Sequence, residues 1–204
     1  MKIAYITTEM VGVSSGVLNQ NRITLKFLQD HPEVEKFTVI QTPGTEFGIP
    51  PLKRQRFIDL VNILPRLPKN VLLYIKRSKS IADKIMDESK AIKSKIKKYK
   101  LTNSVIIDEN VLPYEEMGYI YSACDIACFP FVNEPGGNCA MEALANGKPL
   151  VVYDSGYFPY YIKNNGFIVK PENPVELHEK IKILLEDEKL AIEMGEKSRE
   201  LAQQ

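Results

Sequence analysis

The sequence predicts an α/β protein, a parallel sheet covered by helices. Short β-branched or aromatic runs alternate with longer stretches of helical spacing from one end of the chain to the other. Several of those runs are apolar on consecutive residues, as strands buried on both faces are. No repeat and no low-complexity tract interrupts the alternation.

The elements follow in order. Lys2 to Thr7 reads as the opening strand, Val17 to Gln29 as a helix and Lys36 to Gln41 as the second strand. TPGTEFGIPP, Thr42 to Pro51, is the only candidate hinge, a strand-to-helix loop being its alternative. A helix is expected over Lys53 to Ile63, a strand over Val71 to Lys76, and a helix over Ser80 to Tyr99 with Ile81, Ile85, Ile92, Ile96 and Tyr99 on its buried stripe. Ser104 to Asp108 is the next strand, Pro113 to Ser122 the next helix, and Asp125 to Pro130 an apolar strand. A helix over Asn138 to Asn146 is closed by Gly147, and Pro149 to Tyr153 and Gly166 to Val169 are the last strands. Two helices finish the chain. Pro174 to Glu186 aligns Leu177, Ile181, Leu184 and Leu185, and Asp187 caps a helix that ends near Leu201.

Composition bounds the function. With 204 residues, 44% hydrophobic and 26% charged, the chain is one domain or two small ones, and can bury roughly 70% of its unfolded surface without disulfides or a structural metal. Cys124, Cys128 and Cys139 are an odd count without Cys-x-x-Cys spacing, so they predict small apolar packing in a reducing compartment and no metal site. The N-terminus lacks a signal-peptide core and no apolar run is long enough to span a bilayer, which together predict a cytoplasmic protein. Twenty-seven basic against 26 acidic residues argue against binding nucleic acid over the whole surface. One segment departs from this balance: Lys76 to Lys100 holds ten basic and three acidic residues. It reads as a solvated face, with peripheral contact to anionic lipid as its alternative. His31 and His178 have no serine or cysteine partner nearby and read as surface residues.

The densest chemical signal is NEPGGNCAMEALANGKPLVV, Asn133 to Val152, behind the strand DIACFP. A buried parallel strand ends, a loop carries Glu134, Gly136 and Gly137, and a helix begins just behind the glycines. Glycines let a backbone approach a ligand closely, and the N–H groups and positive dipole end of a helix favour a phosphate. Glu142, on that helix, is within reach of a ribose beside the same phosphate. Ligands of open α/β sheets bind outside the carboxyl ends of the strands, where this loop lies. Glycines that serve the turn alone, and a solvated Glu142, are the bland alternatives.

Glu134, seven residues, then Glu142, followed by Ala143, Gly147, Pro149, Val151 and Val152, resembles the E-x7-E signature of retaining, nucleotide-sugar-dependent glycosyltransferases of family 4. Pro135 and Gly136 stand where that family has a glycine and a phenylalanine, and Gly137 matches its second glycine. YSACDIACFPF, NNGFIVKPENPVELHEKIKILLED and MGEKSREL resemble the flanking elements, and the resemblance runs from about Lys53 to Leu201. It implies a GT-B fold, of which this chain would be a single Rossmann-like lobe with helices on both faces. It also implies that Glu142 binds the ribose hydroxyls of a nucleoside-diphosphate sugar, that Glu134 contacts the transferred sugar as the catalytic carboxylate, and that N–H groups around Gly136, Gly137 and Asn138 hold the sugar or its distal phosphate. Lys53 falls where the family has a lysine against the departing diphosphate, but Thr45 stands at the place of the accompanying arginine, which Arg54 or Arg56 could replace only with a different loop. Lys76-Arg77 replaces a family glycine pair.

The first reading is therefore a metal-independent hexosyltransferase lobe without cofactor, with a nucleotide sugar as donor and an acceptor (glycan, lipid or protein) held by a second lobe, another subunit or a second copy. The short chain and the lack of a long final helix after Gln204 suggest the missing lobe. The alternative is a lobe that binds nucleotide or a partner without catalysis; a sugar-nucleotide epimerase would need a base that is not found. Residues 1 to 50 open like an acceptor-binding lobe, yet about fifty residues cannot bury a core of their own, so they are read as a β-α extension of one domain.

Overall fold

The structure, a computed structural model, describes residues 2–7, 36–41, 56–76, 88–108, 110, 116–132 and 138–204. The chain divides into two compact units, Met1–Pro50 and Pro51–Gln204. In the first, β1 (Lys2–Thr7) and β2 (Lys36–Gln41) pair in parallel with Lys2 opposite Lys36 and Thr7 opposite Gln41. The helix expected over 17–29 and the candidate hinge over 42–51 lie outside the described residues.

In the second unit, β3 (Leu73–Lys76) pairs in parallel with β4 (Val105–Asp108), and β5 (Ala127–Phe129), β6 (Leu150–Tyr153) and β7 (Gly166–Val169) form a parallel sheet in that order. All described pairings are parallel, as the apolar runs predict. The central strand β6 is buried along its whole length, Leu150, Val151, Val152 and Tyr153 alike. Six helices are described: α1 (Phe57–Ile63), α2 (Glu88–Lys98), α3 (Met117–Ala123), α4 (Asn138–Ala145), α5 (Pro174–Glu186) and α6 (Glu188–Ala202).

Two boundaries differ from the expected ones for visible reasons. The first helix starts at Phe57 and not at Lys53, because Arg56 takes a left-handed backbone (φ 46°) that cannot continue a helix backwards. The third strand starts at Leu73 and not at Val71, because the Val71 N–H closes a turn on the Pro68 carbonyl before pairing begins. At the other end the sequence signals hold. Asp187 accepts a hydrogen bond from the Leu190 N–H (3.0 Å) as N-cap of α6. The structure adds a cap the sequence reading did not name, Asn173, which accepts from the Glu176 N–H (3.2 Å) at the start of α5.

The core of the second unit joins four rings. Phe129 stacks on Phe158 with centroids 5.5 Å apart, and Phe131 meets Phe158 edge-on at 5.5 Å and Phe57 at 5.8 Å. Phe129 and Phe131 lie at the carboxyl end of β5 and Phe158 beyond that of β6, so this packing joins those strand ends to α1 through Phe57. Beneath them Asp59 is buried but paired, accepting from Tyr153 Oη (2.7 Å) and from Arg56 Nε (3.0 Å). A second buried polar link ties α6 to the sheet: Asn165 Nδ2 donates to Ser198 Oγ (3.1 Å), whose hydroxyl donates to the Lys148 carbonyl (2.6 Å). On α2, Ile92 is buried while Lys93, Lys97 and Lys98 are exposed, as is Lys100 in the turn that follows. Among the described residues no helix is long and apolar enough to cross a membrane.

Helix α6 approaches α4 closely at Gly195, where an added Cβ would lie 2.4 Å from the Gly147 carbonyl oxygen. Backbone cannot yield cheaply, so Gly195→Ala is expected to lower stability by about 1–3 kcal/mol, read as a fall in denaturation midpoint. An unchanged midpoint would contradict this packing.

Candidate functional site

The site is built on α4. Ala140 and Ala143 are fully buried and Leu144 nearly so, which gives the helix one small-residue face against the sheet and α6. Its C-terminus is closed by Gly147 at φ 64°: the Gly147 N–H bonds the Leu144 carbonyl (2.9 Å) and the Lys148 N–H bonds the Ala143 carbonyl (3.0 Å). This double closure is the glycine C-cap that Asn146-Gly147 predicts. The helix is thereby fixed at its far end, and its first residue, Asn138, follows the loop that leaves β5 through Phe131. The opening N–H groups of a helix lack intrahelical acceptors.

Glu142 lies on the flank of α4 that faces α3. Tyr121 Oη donates to Glu142 Oε2 at 3.1 Å, and the neighbouring pair repeats the contact: Ser122 Oγ donates to Asn146 Oδ1 at 3.3 Å, while Asn146 Nδ2 donates to the Glu142 carbonyl at 2.8 Å. Among the described residues Glu142 Oε1 accepts no hydrogen bond. Burial pushes the Glu142 carboxyl above its ordinary range, and the bond from Tyr121 pulls it partly back. Tyr121 is raised far by burial first and by the nearby Cys139 and Glu142, so it remains a protonated donor at any ordinary pH. A half-buried carboxylate with one oxygen satisfied and, among the described residues, nothing bonded to the other suits a group that accepts hydroxyl hydrogens from a ligand.

A second polar cluster sits where β3 and β4 end. Asp108 Oδ2 accepts from Tyr74 Oη (2.5 Å) and lies 3.3 Å from Lys76 Nζ, while Oδ1 accepts from the Asn110 N–H (2.9 Å) and Nδ2 (2.8 Å). Lys76 also donates to the Asn110 carbonyl. The hydrogen bonds from Tyr74 and Asn110 lower Asp108 to about 2, and burial together with Asp108 raises Tyr74 to about 12. Lys76, which stands in place of a glycine, is thus committed to shaping the loop after β4. Arg56 is committed too. Its guanidinium forks onto both Asp59 oxygens (3.0 and 3.2 Å) and reaches Glu172 Oε1 (3.2 Å), so it does not serve as a spare cation for a ligand.

Of the residues singled out in the sequence, Asn138 and Glu142 share α4, whereas Lys53, Glu134, Gly136 and Gly137 lie outside the described residues, as do Thr45, Arg54 and Arg77. Sequence reasoning missed Tyr121. The signal was its place at the end of the helix in YSACD, but nothing local says that a residue there meets one on the next helix. Cys124 and Cys128 behave as small apolar groups, burial raising both thiols. His178 rests its Nε2 against the Arg66 carbonyl at 3.2 Å, and His31 lies outside the described residues.

Residues 53–201 match the family of glycosyl transferases group 1. The chain belongs to that family. Among curated proteins, a D-inositol 3-phosphate glycosyltransferase of Corynebacterium aurimucosum is 35% identical over 94 residues, 45% of this chain and 22% of that protein. An uncharacterized glycosyltransferase of Methanocaldococcus jannaschii is 42% identical over 57 residues, 27% of this chain and 15% of that protein. The matched stretch thus spans about a fifth of these relatives' length, 22% and 15%. Among solved structures, the sucrose-phosphate synthase of Thermosynechococcus elongatus has a TM-score of 0.67 at 24% identity, over 74% of this chain and 38% of that one. The C-terminal domain of a glycosyl transferase group 1 protein of Francisella tularensis has a TM-score of 0.67 at 21% identity, over 74% of this chain and 79% of that one. Anabaena HepE, in complex with UDP and glucose, has a TM-score of 0.67 at 22% identity, over 73% of this chain and 40% of that one. These neighbours place the group 1 chain in the GT-B fold.

The raised Glu142 carboxyl has a consequence for stability. A carboxyl whose folded pKa lies above its unfolded one supports the fold while protonated, and that support is lost as pH rises through the folded value. Glu142→Gln, which keeps the protonated shape, is expected to melt above the parent at pH 7.5 and to converge with it near pH 4. A variant less stable than the parent at pH 7.5 would contradict the burial of this carboxylate.

Proposed function

We propose that the chain carries the donor-binding lobe of a retaining, metal-independent glycosyltransferase of family 4 that takes a hexose from a nucleoside-diphosphate sugar. The observation that carries this reading is the Glu134 to Glu142 spacing, together with the geometry of Glu142, a half-buried carboxylate held at Oε2 by Tyr121 with no bond to Oε1 among the described residues. A carboxylate oxygen accepts hydroxyl hydrogens in charge-assisted bonds stronger than neutral ones, so Glu142 takes the ribose. Glu134 contacts the sugar being transferred. The N–H groups around Gly136, Gly137 and Asn138 take the sugar or the distal phosphate, where the α4 dipole adds its favourable end. Lys53 faces the departing diphosphate.

The chemistry then needs no histidine base. The bond from the anomeric carbon to the diphosphate oxygen breaks, its electron pair leaves with the diphosphate, and cations and N–H groups stabilise that charge. The acceptor hydroxyl oxygen forms the new bond on the same face and its proton passes to the departing phosphate oxygen. The acceptor, a glycan, lipid or protein, is held by a second lobe or a second copy of the chain. Residues 1–50 are taken as a β-α extension of the donor lobe, and the lobe works in the cytoplasm.

A second reading is a lobe that binds the nucleotide without turning it over. Thr45 at the place of the clamp arginine, and an Arg56 already occupied by Asp59 and Glu172, favour it. Incubation of the pure chain with UDP-, GDP- and ADP-sugars separates the two, UDP being the first probe because the Anabaena neighbour holds UDP and glucose. Donor hydrolysis that Glu142→Ala abolishes is the expected result. Tight binding without hydrolysis selects the second reading, and absence of any binding removes both.

The exposed lysines of α2, Lys93, Lys97 and Lys98, and Lys100 just after it, support a peripheral contact with anionic lipid. Co-sedimentation with phosphatidylserine vesicles at low salt, weakening steeply as salt rises, is expected. No binding at low salt would end this part of the proposal.

A further inference from the structure

We infer that Tyr121 is a positioning residue for Glu142: its hydroxyl pins Oε2 so that Oε1 is the oxygen offered to a ligand's hydroxyl groups. The inference rests on the reading of Glu142 as a ligand group and adds a residue that neither the motif nor the family match assigns. Its basis is geometric. The 3.1 Å bond crosses from α3 to α4 between residues of which the carboxylate is half-buried and the tyrosine is more deeply set.

The side chains around the pair define what else could act on it. From α3 and the turn after it come Tyr121, Ser122 and Cys124, and from α4 itself Cys139 and Asn146. Lys148 sends its Nζ to the Ser122 carbonyl (3.2 Å), and its charge is felt at Cys124. No described cation is bonded to the Glu142 carboxylate. Tyr121 is therefore the donor that fixes its rotamer and favours its ionised form. A free carboxylate samples several rotamers about its three side-chain bonds, so a ligand that needs one of them bears the ordering cost on binding. The hydroxyl of Tyr121 removes that cost in advance and keeps the carboxylate charged in a partly dehydrated place.

One other contact ties α3 to the end of α4, and it makes the role separable from simple packing. Ser122 to Asn146 joins the same helices without touching the carboxylate, so Ser122→Ala serves as the control for a merely structural link. Tyr121→Phe keeps the ring and removes only the donor. In the full chain labelled with carbon-13 at glutamate, the Glu142 titration is expected to move to higher pH in Tyr121→Phe and to stay in place in Ser122→Ala. UDP affinity by calorimetry is expected to fall roughly ten-fold in Tyr121→Phe, with the acid limb of binding displaced to higher pH in step with the titration. An unmoved Glu142 titration in Tyr121→Phe overturns the inference whatever the ligand. UDP affinity that is unchanged in Tyr121→Phe but lost in Glu142→Gln overturns the positioning role alone. Affinity unchanged in both variants removes the ribose reading on which it stands.

Discussion

The close packing of α4 is the constraint on which the rest of the site depends. Only a helix with Ala140 and Ala143 on its inner face can lie so near the sheet, and only Gly195 lets α6 pass so near the turn that ends it. The glycine closure at Gly147 then stops the helix where β6 must begin. With its inner face and its C-terminal end determined, α4 carries Glu142 on the flank beside α3. Its partial burial follows from packing chosen by alanines and glycines, and its raised carboxyl follows from that burial. Structure and chemistry are here one argument: residues that make the helix fit also set the proton affinity of the group it carries.

Charge around the site obeys a similar logic. The described cations nearest the strand ends are already employed, Arg56 on Asp59 and Glu172, Lys76 on Asp108 and Asn110. Taking Arg56 away would leave the buried Asp59 without its charged partner, which costs more than the pair contributes. These cations are therefore poor donors to a passing phosphate. In the proposed donor site Lys53 and the opening N–H groups of α4 are assigned to the diphosphate, with Thr45 at the place of the second cation. A clamp so reduced stabilises a leaving diphosphate less than a doubled one, and this is why binding and turnover stand as separate questions for this lobe.

Much of the fold was legible because it is written in local terms. The consecutive apolar residues of β6, the Asp187 cap and the Asn146-Gly147 stop are each decided by a few neighbouring side chains, and each is found in place. The start of α1 was not legible, since the left-handed Arg56 goes with its contacts to Asp59 and to Glu172, the latter far along the chain. The E-x7-E spacing marked Glu142 but could not disclose what faces it. Tyr121 lies 21 residues away on another helix, and sequence patterns read periodicity within an element, not which flank of one element meets the next. Lys76 was noted only as a replaced glycine; that it braces the loop after β4 depends on strand register, Lys76 opposite Asp108, which pairing alone creates.

The central claim is that Glu142 Oε1 is the oxygen that meets a nucleotide's ribose while Tyr121 keeps Oε2. A crystal structure of the full chain soaked with UDP tests it most directly. The account expects the ribose hydroxyls within hydrogen-bond distance, about 2.5–3.0 Å, of Oε1, with the Tyr121 to Oε2 bond still in place. UDP bound elsewhere on the chain, or a ribose at Glu142 with Tyr121 released, would contradict it.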